Sequence, residues 1–278
     1  MKISLLSDAP RHNLALMKIS AWHKAAGDTV MLNAPIFPAD YTYASILFEK
    51  NKIKADEYGG PAIPGSVLPV EIEKVMPDYN LYNLKYSLGY TFRPCSNTCH
   101  FCKVPAMNHP DVDHHSIFEF HNSEFDTICL LNNNTFQDPL WKKTFQEIWR
   151  ENLTVIDENG YDIRLIDDEK AAALKKTKFQ GKIHFAWDRM QDEALILSGL
   201  KTLQRHKITG QSVYVLIGYN STKEEDFHRC QKIIDHKQTP YIMPYVQNKE
   251  NKKFKRFIDS FMWRKFKTLE TAWGEYYA

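Results

Sequence analysis

Between Leu84 and Tyr245 the chain alternates short apolar runs with longer amphipathic segments, and this rhythm limits the fold more than any other feature. Residues 84–92, 127–131, 162–166, 183–187, 212–217 and 241–245 have the length and composition of strands. Helical patterns at 139–149, 168–176, 192–206 and 223–235 separate most of them, and Ser116-Ile117-Phe118-Glu119 has the capping-box spacing that starts a short helix. A strand, a helix and a second strand of the same direction join by a right-handed crossover. Six strands in this rhythm predict a parallel sheet curled into a barrel or part of one. In such sheets ligands gather at the carboxyl ends of the strands.

The N-terminal residues have a rhythm of their own. Residues 2–6 read as a strand, Asp8-Ala9-Pro10 as a turn, and Leu14, Leu16, Met17, Ile19, Ala21 and Trp22 as an apolar helix that ends near Gly27. A second strand follows at 29–32, which gives a small βαβ unit. Gly59-Gly60-Pro61 and Pro64-Gly65 mark residues 56–65 as a loop, and a connector at 68–82 contains Pro69 and Pro77. The expected organisation is a Rossmann-like unit at 1–80, a barrel-like unit at 81–246 and a helical extension at 247–278. In that extension Lys252, Lys253, Lys255, Arg256, Arg264, Lys265 and Lys267 interleave with Phe254, Phe257, Phe261, Trp263 and Phe266. Charge with interleaved rings suits nucleic acid. The helical spacing of Phe254, Phe257, Ile258 and Phe261 favours an amphipathic helix packed on the protein.

The chemistry-bearing motif follows the first strand of the main alternation. Arg93-Pro94-Cys95-Ser96-Asn97-Thr98-Cys99-His100-Phe101-Cys102 places three of the five cysteines at C-x3-C-x2-C spacing. Three thiolates on one loop can hold three irons of a cubane cluster and leave the fourth open. Zinc is the competitor, with His100 or His109 as fourth ligand. Structural zinc sites generally use two pairs of ligands, and Cys129 and Cys230 do not form a second pair. Five cysteines in 278 residues do not make a disulfide-dense chain. The histidines at 109, 114, 115 and 121, with Asp111 and Asp113, lack a clean ligand pattern and read as a solvated loop.

The cysteine spacing and the aromatic residue before Cys102 resemble the radical S-adenosylmethionine (SAM) superfamily. The resemblance covers about residues 84–245 and implies a partial (β/α)6 TIM-like barrel. It also implies a [4Fe–4S] cluster on Cys95, Cys99 and Cys102, with SAM on the open iron. Reductive cleavage of SAM would then give a 5′-deoxyadenosyl radical acting on an unidentified substrate. Phe101 is expected near the adenine. Asn132, Asn133 and Asn134 stand where the superfamily often has a Gly-Gly-Glu-like segment for the SAM ammonium; a polar turn is the other reading. Asp188 and Arg189 are candidates for the ribose and carboxylate of SAM, although Asp188 also suits a helix cap. Arg164 is expected inside a strand, facing a SAM carboxylate or a buried partner. Gly218 is expected to permit close approach of adenine, or simply to turn the chain.

The resemblance further implies an external electron donor such as flavodoxin or ferredoxin. Residues 1–80 resemble the Rossmann-like module that precedes the radical core in cobalamin-dependent and methylthiotransferase-like members. The D-x-H-x-x-G motif of cobalamin sites is absent, because His12 lies four residues after Asp8, so a working cobalamin site is disfavoured. Methylthiotransferases need further cysteines upstream, and none precedes Cys95. No apolar run reaches the roughly 18 residues of a membrane span, and no secretory signal is evident. A reducing, cytoplasmic compartment is expected. A net charge of +2 decides nothing about nucleic acid. The alternative function is a non-catalytic zinc or cluster protein that binds nucleic acid through the basic aromatic extension.

Overall fold

In β1 (Lys2–Ser7) Ile3 and Leu5 are fully buried and pack with Leu16 and Ile19 of α1 (Leu14–Ala25). Asn13 starts this helix by accepting a hydrogen bond from Leu16 N, and Gly27 at φ +84° releases the chain from it. β2 (Thr29–Leu32) returns parallel to β1, so the expected βαβ unit is present. Two further strands extend it. β3 (Tyr41–Ser45) pairs with the other edge of β1, and β4 (Glu57–Gly59) pairs with β3, giving the parallel order β2-β1-β3-β4. Glu57–Gly59 therefore corrects part of the loop expected at 56–65. Three residues ahead of glycine and proline breakers show no period, and pairing with β3 makes them a strand.

The structure, a computed structural model, describes all residues except Ala9, Pro10, Pro35, Glu49, Lys52, Asn108 and Ala278, together with the side chain of Tyr277. Ala9 and Pro10 of the expected turn thus lie outside the described residues. The chain divides into two compact units, Met1–Ile156 and Asp157–Ala278. The boundaries expected near 80 and 246 fall inside them.

The first unit continues through α2 (Val70–Glu73) and a 3-10 turn at Tyr79–Tyr82 to β5 (Ser87–Gly89). Only these three residues of the expected strand at 84–92 are paired. Next come α3 (Val104–Met107) and a 3-10 turn at Ile117–Glu119 with the Ser116 capping box expected of a helix start. β6 (Thr127–Leu130), α4 (Trp141–Arg150) and β7 (Thr154–Ile156) follow. β5, β6 and β7 are parallel in that order. α4 buries Trp141, Phe145 and Ile148, spaced four and three residues apart along one stripe. Its buried Glu147 accepts from Ser116 Oγ and Ile117 N, both at 3.0 Å, and so fixes the turn before β6.

The second unit contains α5 (Asp168–Lys176), β8 (Lys178–Phe179), β9 (His184–Ala186), α6 (Glu193–Arg205), β10 (Ser212–Ile217), α7 (Lys223–Asp235) and β11 (Thr239–Pro244). β10 lies between β9 and β11, with both pairings parallel. The strand expected at 162–166 is instead a 3-10 turn, Ile163–Leu165. Asp162 caps it by accepting from Arg164 N at 3.2 Å and also binds the Arg164 guanidinium. These local bonds compete with a strand, and the apolar run around Arg164 concealed them. The missing strand of the rhythm is β7.

α8 (Lys249–Asp259) and α9 (Leu269–Tyr277) close the chain. Phe254, Phe257 and Ile258 are buried, and Trp273 of α9 meets the Phe257 ring at 5.2 Å. Most of the aromatic stripe is therefore core, while Phe261 is exposed. The class is α/β with parallel sheets. Among the described residues no helix is long and apolar enough to cross a membrane.

Candidate metal centre

β5 ends at Gly89, where the chain must pass the Phe120 ring: a Cβ on this glycine would lie 2.3 Å from Phe120 Cγ. The next residues are tied to the end of β6. Asn132 Oδ1 accepts from Thr91 N (2.9 Å) and Phe92 N (3.1 Å), and its Nδ2 donates to Thr91 Oγ1 and Thr135 Oγ1. Asn133 Nδ2 donates to Arg93 O at 2.5 Å. Gln137 Oε1 accepts from Ser96 N at 2.7 Å, and Thr91 O accepts from His115 N at 2.8 Å. The Arg93 guanidinium binds Glu73, lies over the Tyr90 ring at 4.4 Å and reaches His109 Nε2 at 3.0 Å.

The root of the cysteine loop is thus fixed by the neighbouring strand end, as expected for a ligand-binding loop at the carboxyl end of a parallel strand. Beyond it the chain is irregular. Cys95, Cys99 and Cys102 are all half-buried, and none is in a disulfide. Cys102 N donates to Cys99 O at 2.9 Å, and Cys102 Sγ accepts from Val104 N at 3.4 Å. Phe101 is half-buried beside them.

Among the described residues no three His, Cys, Asp or Glu side chains are gathered as a metal-holding group. The chemistry of the donor set nevertheless fits an iron–sulfur cubane: three thiols on one partly exposed loop, with Val104 N donating to Cys102 Sγ. Cys129 and Cys230 differ, being buried, and burial pushes the Cys230 thiol up. Of the histidines named as a zinc ligand, His109 has Nε2 3.0 Å from the Arg93 guanidinium, which makes that nitrogen an acceptor. Burial and Arg93 hold its pKa below the ordinary value. His100 is exposed. His114 bonds Asp138 and His121 bonds Ser87 Oγ, so these two do not join a cluster.

Two cavities adjoin the loop. One of ≈ 200 Å³ is lined by Cys95, Arg93, Asn133, Tyr90 and His109. A second of ≈ 610 Å³ shares Tyr90, Arg93 and His109 with the first and extends to Lys18, Glu73 and Asp111. Sequence reasoning missed Arg93, Tyr90 and Glu73. Arg93 had a signal in its place two residues before Cys95; Glu73 had none.

Asn132 and Asn134 are buried and Asn133 is half-buried. In Asn132 the amide is committed to the loop root. The other expected SAM contacts lie in the second unit, which brings three of them together past β9. Arg164 binds Asp162 at 2.7 Å and Asp192 at 3.3 Å, and Arg189 binds the same Asp192 at 2.9 Å. Asp188 is raised to about 6, chiefly by burial, against the pull of Arg229. Arg229 itself is fully buried and donates to Trp187 O and Leu216 O. Gly218 follows β10 at φ +70°, a conformation that favours glycine, and a Cβ there would lie 2.4 Å from Asn251 Nδ2. The close neighbour of Gly218 is therefore a side chain of α8. In the N-terminal sheet, Asp8 accepts from Leu47 N and Phe48 N, while His12 Nδ1 lies 2.9 Å from Tyr86 OH.

In comparisons with known proteins, no family model, no curated protein and no solved structure matches this chain.

Proposed function

We propose that this chain is a radical SAM enzyme whose [4Fe–4S] cluster is held by Cys95, Cys99 and Cys102. The observation that carries the reading is the C-x3-C-x2-C loop at the carboxyl end of β5, with its root bonded to the end of the adjacent β6. When bound, such a cluster supplies one electron to the sulfonium of SAM, giving methionine and a 5′-deoxyadenosyl radical that takes a hydrogen atom from substrate.

This chain's own residues would bind and orient. Asn132 and Asn133 hold the loop root, so that the thiols start from a fixed base. Phe101 and Tyr90 offer apolar surface that keeps water from the reacting groups. Within the second unit Asp188, Arg164 and Arg189 gather with Asp192 into a polar group of the chemistry that suits a ribose hydroxyl and a carboxylate. Parallel strands β5-β6-β7 and β9-β10-β11, in the order of the chain, support the finer reading of a partial (β/α)6 barrel. An oxygen-sensitive cluster suits a reducing compartment such as the cytoplasm, and an external one-electron donor of the flavodoxin or ferredoxin type.

Anaerobic reconstitution with iron and sulfide tests the proposal. Wild-type protein is expected to take up about four irons per chain, and Cys→Ala at all three positions to abolish that uptake. Reduced protein with SAM should form 5′-deoxyadenosine. Equal iron uptake by the triple variant would overturn the assignment of the ligands.

One observation favours the second reading, a non-catalytic protein that binds nucleic acid. Lys249, Lys252 and Arg256 lie on one face of α8 and line a groove of ≈ 560 Å³ with Tyr276. That reading requires salt-sensitive retention of a single-stranded oligonucleotide and no SAM cleavage.

A further inference from the structure

The ≈ 610 Å³ cavity in the first unit has an unusual division of charge. Its inner charges are committed to one another. Lys18 Nζ lies 2.6 Å from Glu73 Oε1, and the same oxygen takes Arg93. His115 sits between Asp111 at 2.9 Å and Glu119 at 2.9 Å. Burial lowers the pKa of His115, but the two carboxylates outweigh it and the net shift is upward. With His115 protonated, the lining carries the cations Lys18, Lys74, Arg93 and His115 against the carboxylates Glu73, Asp111, Asp113 and Glu119. The two sets balance, which disfavours a polyanion such as a nucleotide.

Two lining charges stand outside the network. Lys74 closes α2 and Asp113 lies on the loop after α3, and both are exposed while lining the cavity. Neither side chain has an ion pair or hydrogen bond among the described residues. They are of opposite sign and come from different segments. The same cavity is also lined by the apolar side chains of Leu14, Leu68, Val70 and Phe120. A volume of this size is in the range of small-molecule sites.

We propose that this cavity binds an amino-acid-type zwitterion, a free amino acid or short peptide with an apolar side chain. Lys74 pairs with its carboxylate, Asp113 pairs with its ammonium, and the side chain lies on Val70, Leu68 and Phe120. The inner end of the cavity meets Tyr90, Arg93 and His109, which also line the smaller cavity beside Cys95. The identification of this molecule as the substrate rests on the radical SAM reading; the binding itself does not.

The test is equilibrium dialysis of the full chain, before and after cluster reconstitution, read by mass spectrometry. The probes are the free apolar L-amino acids and their di- and tripeptides, each beside its N-acetyl and C-amide forms. At least one apolar zwitterion is expected to be retained, with both blocked forms at least about tenfold weaker. Lys74→Ala should make acid and amide bind alike, and Asp113→Ala should do the same for amine and N-acetyl forms. Thermal melts should show both variants folded, since both positions are exposed. If no zwitterion is retained better than its blocked forms, or both variants bind as wild type does, the proposal is wrong. Iron uptake measured on the same samples separates the two readings. Normal uptake without zwitterion binding overturns this inference alone, and zwitterion binding without uptake overturns the radical SAM reading alone.

Discussion

A single amide carries much of the structural work at the cysteine loop. Asn132 is 1% exposed, and its side chain satisfies two buried backbone N–H groups at once. Asn132→Ala would leave both without that acceptor, at roughly 1–3 kcal/mol for each unsatisfied group. A loss of about 2–6 kcal/mol in urea unfolding is expected, and a loss under 1 kcal/mol would show that the amide does not brace the loop. Asp188 gives a pH-dependent prediction. Burial raises it from its ordinary 3.8 to about 6. Between about pH 4 and 6 the folded chain keeps a proton that the unfolded chain has lost, so stability falls as pH rises through that window. The loss by pH 7 is about 3 kcal/mol. Asp188→Asn should flatten this part of the pH–stability curve, and an unchanged slope would refute the assignment. The sequence showed that residues 132–134 stand at a strand end, but not which way their amides point. That depends on the pairing of β5 with β6, a long-range contact without a local signal.

Elements were legible where period and length were strong. α4, α6, α7 and β10 follow their expected spans closely because each has a long apolar period and a clear stop. β4 and β7 have three residues each, too few to show alternation, and exist through their partners. The error at 162–166 had the opposite cause: an apolar run was held in a 3-10 turn by Asp162. Packing gives this scale its predictions. Gly89→Ala would force a methyl group into Phe120 and should cost about 1–3 kcal/mol through overpacking. In α8, Phe257 is fully buried whereas Lys252 is exposed. Phe257→Ala is therefore expected to cost about 3–5 kcal/mol, and Lys252→Ala less than about 0.5 kcal/mol. Similar losses from the two would contradict the orientation of the helix. The basic and aromatic residues of this segment suggested two functions from sequence alone, and only burial assigns the rings to the core.

At the scale of the molecule, the α/β class and the parallel direction of the strands were readable from the alternation of segments. The division at Ile156 was not, because no proline- or glycine-rich linker marks it. The three loop cysteines are half-buried and are not among the buried core residues. Replacing all three by alanine should leave the unfolding midpoint of metal-free protein nearly unchanged while removing iron uptake. A large drop in midpoint would mean that the thiols support the fold itself. The anchored loop root has a consequence for the order of assembly. With Thr91, Phe92, Arg93 and Ser96 held in place, Cys95 to Cys102 form a short tether on a rigid post. Once one thiolate has captured iron, the other two are present at an effective concentration on the order of millimolar. On the proposed reading, incorporation would proceed as chelation, with the first capture as the slow, concentration-dependent step and ring closure following within the same molecule.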